Sequence, residues 1–239
     1  DLEQIAYGTY SPLKGFMTKI ELESVLEKMR LPNGLIWTIP ILLSIKDKDH
    51  KIIKIGDIVT LTDTHNRSIG TIKIRDIFEF NKKLICQKLF GSNNLKHPGV
   101  RLFNSFGSKF IGGEINLINN AKRIFNKYNL TPYQTRRLFD EKNWVNVVGF
   151  HTRNVIHRAH EYIQMEAISR GGCDGLFVHP VVGEKKVGDY NSHFIIKSYE
   201  IMQKIYYPEG QTVFGVFSTY SRYAGAREAV FTALCRKNF

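Results

Sequence analysis

Two histidines, His157 and His160, mark the part of the sequence whose residue types best support chemistry. They lie where a short apolar stretch gives way to a helical pattern, and residues three apart share one face of a helix. The start of a helix offers backbone amides and the positive end of its dipole, which attract anions. With Arg153 and Asn154 just before them, these side chains are predicted to face one bound phosphate.

The same residue types suit nucleotidyl transfer, which builds negative charge on the α-phosphate and on the departing pyrophosphate. Hydrogen-bond donors that are already in place stabilise this charge. Imidazoles can donate near pH 7, and a guanidinium can hold a tetrahedral oxyanion through two parallel hydrogen bonds. Histidines at this spacing also occur on surfaces by chance or in zinc sites, but the preceding Thr152-Arg153-Asn154 favours the phosphate interpretation.

The elements that must position these residues belong to the second half of the chain, where apolar stretches alternate with helical patterns. Strands are predicted over residues 145–150, 175–182 and 212–217, and helices over residues 132–140, 156–169, 193–206 and 225–237. This alternation predicts a parallel sheet with helices on its faces. Ligands of such sheets bind at the carboxyl ends of the strands, so this half is predicted to be the catalytic α/β domain.

The predicted helix over residues 156–169 has apolar residues at spacings of three and four. Ile156, Ala159 and Ile163 would form the face that packs on the sheet. The two histidines fall on the opposite side of this helix, so they are predicted to face the site and not the core.

The first half of the chain has a different pattern, in which short β-like segments follow one another through polar turns. Strands are predicted over residues 35–44, 57–62 and 69–77, a pattern typical of an antiparallel sheet or small barrel. One helix, residues 19–29, interrupts the strands, with Thr18 as its N-cap and Glu21 as the capping-box partner. We place the boundary between this β-rich domain and the catalytic domain after residue 126.

Charge and composition narrow the possible functions further. The chain has 34 Lys and Arg against 22 Asp and Glu, a net charge of +12, which suits nucleic acid or small polyanions such as ATP and sulfate. No apolar run approaches the roughly 20 residues that span a bilayer, and no signal peptide is visible. The three cysteines, Cys86, Cys173 and Cys235, form no CxxC pair, which argues against a zinc site or disulfide framework and fits a reducing, cytoplasmic location.

Five ordered motifs resemble those of the ATP sulfurylase family and together run over essentially the whole chain. They lie at residues 1–17, 97–100, 151–161, 179–189 and 222–229. The third, HTRNVIHRAHE, is similar to the family signature QTRNPxHRAHE. The resemblance implies a PUA-like β-rich domain over residues 1–126 and a Rossmann-like catalytic domain, of the HxxH nucleotidyltransferase type, over residues 127–239. It also implies transfer of AMP from ATP to sulfate, giving adenylyl sulfate and pyrophosphate, or the reverse reaction.

The resemblance further implies roles for individual residues. The expected catalytic residues are Thr152, Arg153, Asn154, His157 and His160. His151, Thr152 and Arg153 would lie at the sulfate, and Arg153, Asn154, His157 and His160 would hold the ATP phosphates. Loops near the site would carry Lys186, Gly188 and Asp189, and Arg222, Tyr223, Ala224 and Gly225. Mg²⁺ would arrive with ATP without a dedicated protein site, and the protein is expected to be a homo-oligomer with no membrane or nucleic-acid partner.

The sequence also departs from the family pattern. The usual glutamine is His151, whose imidazole can still donate, and two prolines are Val155 and Ala226. The chain ends at Phe239, before the family's GRDHxG loop, so this piece is expected to have an incomplete pocket. Two alternatives stay open. One is a non-catalytic basic protein that binds RNA, which the dispersed charges disfavour. The other is a different HxxH nucleotidyltransferase, which Thr152-Arg153 and the N-terminal domain disfavour.

Overall fold

The computed structural model describes residues 1–45, 52–119, 126–183 and 186–239. Contacts between residues divide the chain into two compact units. The first comprises Asp1–Ala121 together with Arg222–Asn238, and the second comprises Lys122–Ser221 together with Phe239. The C-terminal helix thus groups with the first unit, whereas the sequence pattern assigned it to the catalytic domain. The division into residues 1–126 and 127–239 stays a prediction.

An antiparallel sheet of five strands forms the framework of the first unit, within the described part of the chain. Its strands are β1 (Gly15–Phe16), β2 (Leu43–Ser44), β3 (Ile58–Thr62), β4 (Ser68–Glu79) and β5 (Lys109–Leu117). β5 pairs with β1, β2 and β4, and β3 lies at the edge beside β4. The antiparallel sheet that the alternating pattern indicates before residue 126 is therefore present.

Helices contribute more to the first unit than the sequence pattern indicated. They include α1 (Leu2–Ala6), α2 (Lys19–Lys28), α3 (Lys82–Phe90) and α4 (Pro98–Ser105). α2 has the expected capping box between Thr18 and Glu21. The expectation of a single helix was wrong: α3 and α4 have only 9 and 8 residues, and helices this short were not recognised in the sequence. α4 begins at Pro98, after His97, whose Nδ1 accepts a hydrogen bond from the Val100 amide.

The apolar run over residues 35–44 begins with two exposed residues, Leu35 and Ile36, and is buried at its centre. It is a strand only at Leu43–Ser44. Trp37, Ile39 and Ile41 are each at most 1% exposed, and the Trp37 indole donates to the Ile39 carbonyl at 2.7 Å. Pro40 has no amide hydrogen, so it cannot take part as a donor in a strand ladder. The run therefore reflects packing in the core, and the predicted ten-residue strand was wrong.

A parallel sheet with helices forms the second unit, as the alternating pattern predicts. Its elements are a 3₁₀ turn (Asn126–Tyr128), α5 (Pro132–Glu141), β6 (Val147–Thr152), α6 (Arg158–Arg170), β7 (Gly175–Pro180), α7 (Ser192–Ile205) and β8 (Thr212–Phe214). β7 lies between β6 and β8, and both pairings are parallel. α5 has Thr131 as its N-cap and Gln134 as capping-box partner.

The middle strand, β7, is buried along its whole length, as expected for a parallel sheet covered on both faces. On one face Leu176 and Val178 pack with Ile195 and Tyr199 of α7. On the other face Phe177 packs with a second apolar cluster, which includes Phe139, Trp144 and Phe239. These two layers hold the carboxyl end of β6, where the histidine motif begins.

The face of α6 that packs on the sheet differs from the predicted one. The helix starts at Arg158, so Ile156 precedes it and cannot define its register. Ile163 is 54% exposed, whereas Gln164 is fully buried and Ile168 packs against the core. The expected packing of Ala159 and Ile163 on the sheet was therefore wrong, and the inward face of α6 is the one that carries His160, Gln164 and Ile168.

The C-terminal helix α8 (Gly225–Asn238) supplies a central aromatic residue to the first unit. Phe231 packs edge-on against Tyr10 and Trp37, with ring centroids 5.2 Å and 5.6 Å away. Its Arg227 donates to the last carbonyls of α2, those of Val25 and Leu26. Among the described residues, no helix combines the length and apolar character that a membrane crossing requires.

Candidate active site

The motif residues follow the carboxyl end of β6, which lies beside the carboxyl end of β7. In the register of these parallel strands His151 is opposite His179 and Thr152 is opposite Pro180. Because β8 runs in the same direction, all three strands end at one edge of the sheet. This is the edge where ligands bind in open α/β sheets, so the fold brings residues 151–160 to the expected place.

His157 is the N-cap of α6 and is not on its helical face. Its backbone is extended and its side chain makes no capping hydrogen bond. Even so, its ring stacks on that of His160, with centroids 3.8 Å apart and planes 28° from parallel. The predicted pairing of the two imidazoles is therefore present, but a cap residue and a helical residue create it instead of two positions on one helix face.

The environments of the two histidines differ. His157 is exposed, whereas His160 is half-buried and packs edge-on against the Phe150 ring at 5.7 Å. Burial lowers the pKa of His160, the neighbouring His157 lowers it further, and the Val155 carbonyl opposes this fall. Within the described residues its Nδ1 makes no well-aligned hydrogen bond. Burial and the neighbouring His157 thus favour the neutral form of His160.

The loop between β6 and α6 uses some of its amides internally. The Asn154 amide donates to the hydroxyl of Thr152 at 3.1 Å, and the Ile156 amide donates to the hydroxyl of Ser198 at 3.2 Å. The amides of Arg158 and Ala159, in the first turn of α6, have no acceptor within the helix. These first-turn amides, next to the stacked imidazoles, are the backbone donors that an anion could use.

The remaining predicted residues of this loop differ in exposure. Thr152 is only 7% exposed, Arg153 is half-buried, and His151 and Asn154 are exposed. Ser198 was not among the predicted residues, because a serine in an apolar helical pattern gives no signal of a contact with a distant loop. Gln164, the buried side chain one turn after His160, was missed for the same reason.

The predicted loops lie in two places. Lys186, Gly188 and Asp189 form a turn after β7, in which the Asp189 amide donates to the Lys186 carbonyl at 3.2 Å and Gly188 has φ of 95°. The segment Arg222–Gly225 belongs to the first unit. There Arg222 forms an ion pair with Asp1 at 2.7 Å. A role for either loop at the site stays a prediction.

Among the described residues, no group of three or more His, Cys, Asp or Glu is arranged to hold a metal ion. The donor set around the motif consists of imidazoles, amides and hydroxyls, which suits an anion better than a hard cation.

Two family models match consecutive parts of the chain. The model described as a PUA-like domain matches residues 1–120, and the model described as ATP-sulfurylase matches residues 126–239. Residues 126–239 belong to the ATP-sulfurylase family. The predicted fold class is confirmed, with a PUA-like domain followed by an α/β nucleotidyltransferase-like domain.

Relatives in this family are similar over the whole chain. A sulfate adenylyltransferase of Pyrococcus abyssi is 44% identical and one of Thermococcus onnurineus 43% identical, each over 239 residues. The chain spans 62% of the length of each of these relatives. Among solved structures, a hexameric APS kinase from Thiobacillus denitrificans aligns with 99% of the chain and 43% of its own length, with a TM-score of 0.78. At 21% identity that likeness supports the fold alone.

Proposed function

We propose that this member of the ATP-sulfurylase family carries the catalytic part of a sulfate adenylyltransferase. The enzyme would transfer AMP from ATP to sulfate, giving adenylyl sulfate and pyrophosphate, or catalyse the reverse reaction. The observation that carries the proposal is the stacked pair His157 and His160 beside the first-turn amides of α6. The names of the relatives favour this reaction over RNA binding or transfer to another acceptor.

The reaction needs charge stabilisation more than proton transfer. A sulfate oxygen attacks the α-phosphorus, and the bond from that phosphorus to the bridging oxygen of the β-phosphate breaks. The electron pair leaves with pyrophosphate. Sulfate enters as a dianion, so no general base is needed. Mg²⁺ would enter as part of the ATP substrate, as the resemblance to the family implies.

In this proposal each residue acts where its environment suits it. His157 and His160 donate to the α-phosphate and to the leaving pyrophosphate, and His160 does so as a neutral imidazole because its pKa is lowered. Asn154 binds the ATP phosphates, and Arg153 and His151 bind sulfate. Thr152 is buried and accepts from the Asn154 amide, so it shapes the loop as well as lying beside the sulfate.

The neighbouring turn and the state of the protein belong to the same proposal. Lys186, Gly188 and Asp189 follow β7, whose carboxyl end lies beside that of β6, which supports the proposal that this turn contacts the phosphates. Arg222, Tyr223, Ala224 and Gly225 are assigned to the site by the resemblance only. A cytoplasmic location and a homo-oligomeric state complete the proposed description.

The test is steady-state kinetics on the full-length protein that contains this chain. His157→Ala should lower kcat by about 10²–10³-fold, the usual effect of losing one preorganised donor. The KM for ATP should change little, because the charge that His157 stabilises develops only as the bond breaks. The matched control is His65→Ala, which removes an exposed histidine from the turn after β3 in the first unit.

Arg153→Ala gives an independent readout of the sulfate side of the site. Sulfate is charged before reaction, so this variant should raise the KM for sulfate as well as lower kcat. A His157→Ala enzyme with unchanged kcat and only a raised KM for ATP would show a binding residue and not a transition-state donor. Full activity in both His157→Ala and His160→Ala would overturn the proposed function.

A further inference from the structure

Helix α7 contacts the loop between β6 and α6 through the side chain of Ser198. The Ser198 hydroxyl accepts a hydrogen bond from the Ile156 amide at 3.2 Å. The same hydroxyl donates to the Ile195 carbonyl, one turn earlier in α7, at 2.8 Å. With its hydrogen directed to Ile195, the oxygen of Ser198 presents its lone pairs to the loop, so the contact has a defined direction.

The position of Ile156 makes this contact relevant to the site. Ile156 directly precedes His157, which is the N-cap of α6 and stacks on His160. His157 itself is held by no side-chain capping bond. The hydrogen bond from the Ile156 amide to Ser198 therefore ties the residue just before His157 to helix α7.

The next residue of α7 contacts the two ends of the same segment. Tyr199 is fully buried, and its hydroxyl lies close enough to Thr152 and Gln164 for both side chains to act on its pKa, which burial raises to about 12. Gln164 also accepts a hydrogen bond from the Tyr207 hydroxyl at 2.6 Å. Thus α7 and the residues just after it adjoin the last residue of β6, the loop and the second turn of α6.

We propose that Ser198 is a positioning residue for the phosphate-binding loop: it holds the Ile156 amide and thereby fixes where His157 enters α6. This inference rests on the proposed function, because it assumes that the place of His157 matters for turnover. It also assigns the Ile156 amide to the protein and not to the bound anion, which leaves the amides of the first turn of α6 to the phosphates.

The structural part of this proposal can be tested without any substrate. In the full-length protein, Ser198→Ala should speed hydrogen exchange of the Ile156 amide by about tenfold, as expected for the loss of one hydrogen bond. Ser198→Thr keeps a hydroxyl and should preserve the slow exchange. The matched control is Ser169→Ala on α6, where the serine also donates to a carbonyl three residues earlier, at 3.4 Å.

The functional part is tested by kinetics on the same variants. Ser198→Ala should lower kcat by about ten- to a hundredfold, because a misplaced donor loses transition-state stabilisation. The KM values for ATP and sulfate should stay within about twofold, and Ser198→Thr should restore kcat. If Ser198 only stabilised the fold, Ser198→Ala would lower the free energy of unfolding but would not lower kcat while leaving the KM values unchanged.

The outcomes separate the two proposals. Unchanged exchange at Ile156 in Ser198→Ala overturns the positioning role, whatever the activity. Faster exchange of the Ile156 amide with an unchanged kcat also overturns the positioning role, because the loop would then be more mobile without any effect on turnover. Full activity in both His157→Ala and His160→Ala overturns the proposed function instead, and the exchange measurement still decides whether Ser198 holds the loop.

Discussion

At the scale of single residues, the stacked imidazoles are the feature with the clearest chemical consequence. Their centroids are 3.8 Å apart, so a positive charge on one disfavours a positive charge on the other. Burial acts in the same direction on His160, and its pKa is lowered for both reasons. A neutral imidazole still has one N–H group, so His160 can donate a hydrogen bond to an anionic transition state without first taking up a proton.

This lowered pKa predicts a dependence of stability on pH. The unfolded chain holds the His160 proton more tightly than the folded chain does, so stability is fully present above the ordinary histidine pKa of about 6.5. It is lost as pH falls below that value. In urea unfolding, His160→Gln should therefore lose less stability than the wild type between pH 7.5 and pH 5.5. Equal losses in the two proteins would contradict the assigned environment of His160.

At the scale of elements, the start of α6 lacks a stabilising side-chain cap, which leaves its first-turn amides available to a ligand. The preferred N-cap residues are Asn, Asp, Ser and Thr, whose side chains accept from the first-turn amides. α6 instead has His157 at this position, with no capping hydrogen bond. The first-turn amides thus stay available, which is consistent with a site built for an anionic ligand.

Replacing this cap should separate the two roles. His157→Asn is expected to raise the free energy of unfolding by about 0.5–1 kcal/mol, because asparagine caps the first turn. The same variant should lower turnover, since the imidazole is lost. Urea unfolding and kinetics measure the two effects. The reverse control is Asn191→Ala, which removes an existing cap of α7 that accepts from the His193 amide at 2.8 Å and should cost about 1 kcal/mol. A His157→Asn protein less stable than the wild type would contradict this account.

Local signals decided which elements could be predicted from the sequence. α2 was recognised because Thr18 and Glu21 have the spacing of a capping box. α5 was recognised because Thr131 is a suitable N-cap and Pro132 suits the first helical position. The strands of the second unit were placed to within about three residues, because continuous apolar runs are typical of buried parallel strands. The inward face of α6 was missed because it carries a buried glutamine, Gln164, which no hydrophobic pattern predicts.

The site was predictable as a motif but not as a geometry. The sequence shows that His157 and His160 follow a strand, and the structure confirms that strand β6 ends just before them. It does not show that His157 caps the helix, or that Ser198, 42 residues later, holds the Ile156 amide. Such contacts depend on the packing of α7 against the sheet, which leaves no local pattern in the sequence.

At the scale of the whole molecule, the first unit combines two distant segments of the chain, Asp1–Ala121 and Arg222–Asn238. Arg222 is 5% exposed and its guanidinium pairs with Asp1, 221 residues away in sequence, at 2.7 Å. Its guanidinium carbon also lies 4.9 Å from the centre of the Phe231 ring. The Glu228 carboxylate accepts from the amides of Arg222 and Ala224. The segment that the resemblance assigns to the site is thus also a structural part of the first unit.

The last prediction compares two arginine–aspartate pairs that differ in burial. Arg222→Ala removes the guanidinium that pairs with the partly buried Asp1 carboxylate, and removing one member of a buried pair typically costs about 3–5 kcal/mol. Arg67→Ala breaks the pair with Asp63, where the arginine side chain is 62% exposed, and should cost less than about 1 kcal/mol. Urea unfolding is followed by the fluorescence of Trp37, which packs on Phe231 in the first unit. A Trp144→Phe background removes the signal of the second tryptophan of the sequence, which lies in the other unit.

The same two variants also test whether Arg222 acts at the site. Its burial with Asp1 and Phe231 predicts that Arg222→Ala chiefly loses stability, and that turnover per folded molecule falls little at low temperature. A site role would produce the opposite result, with stability close to that of Arg67→Ala and a large loss of kcat. Equal stability losses in the two variants would show that the pair with Asp1 contributes no more than a surface ion pair, and the structural role assigned to Arg222 would be wrong.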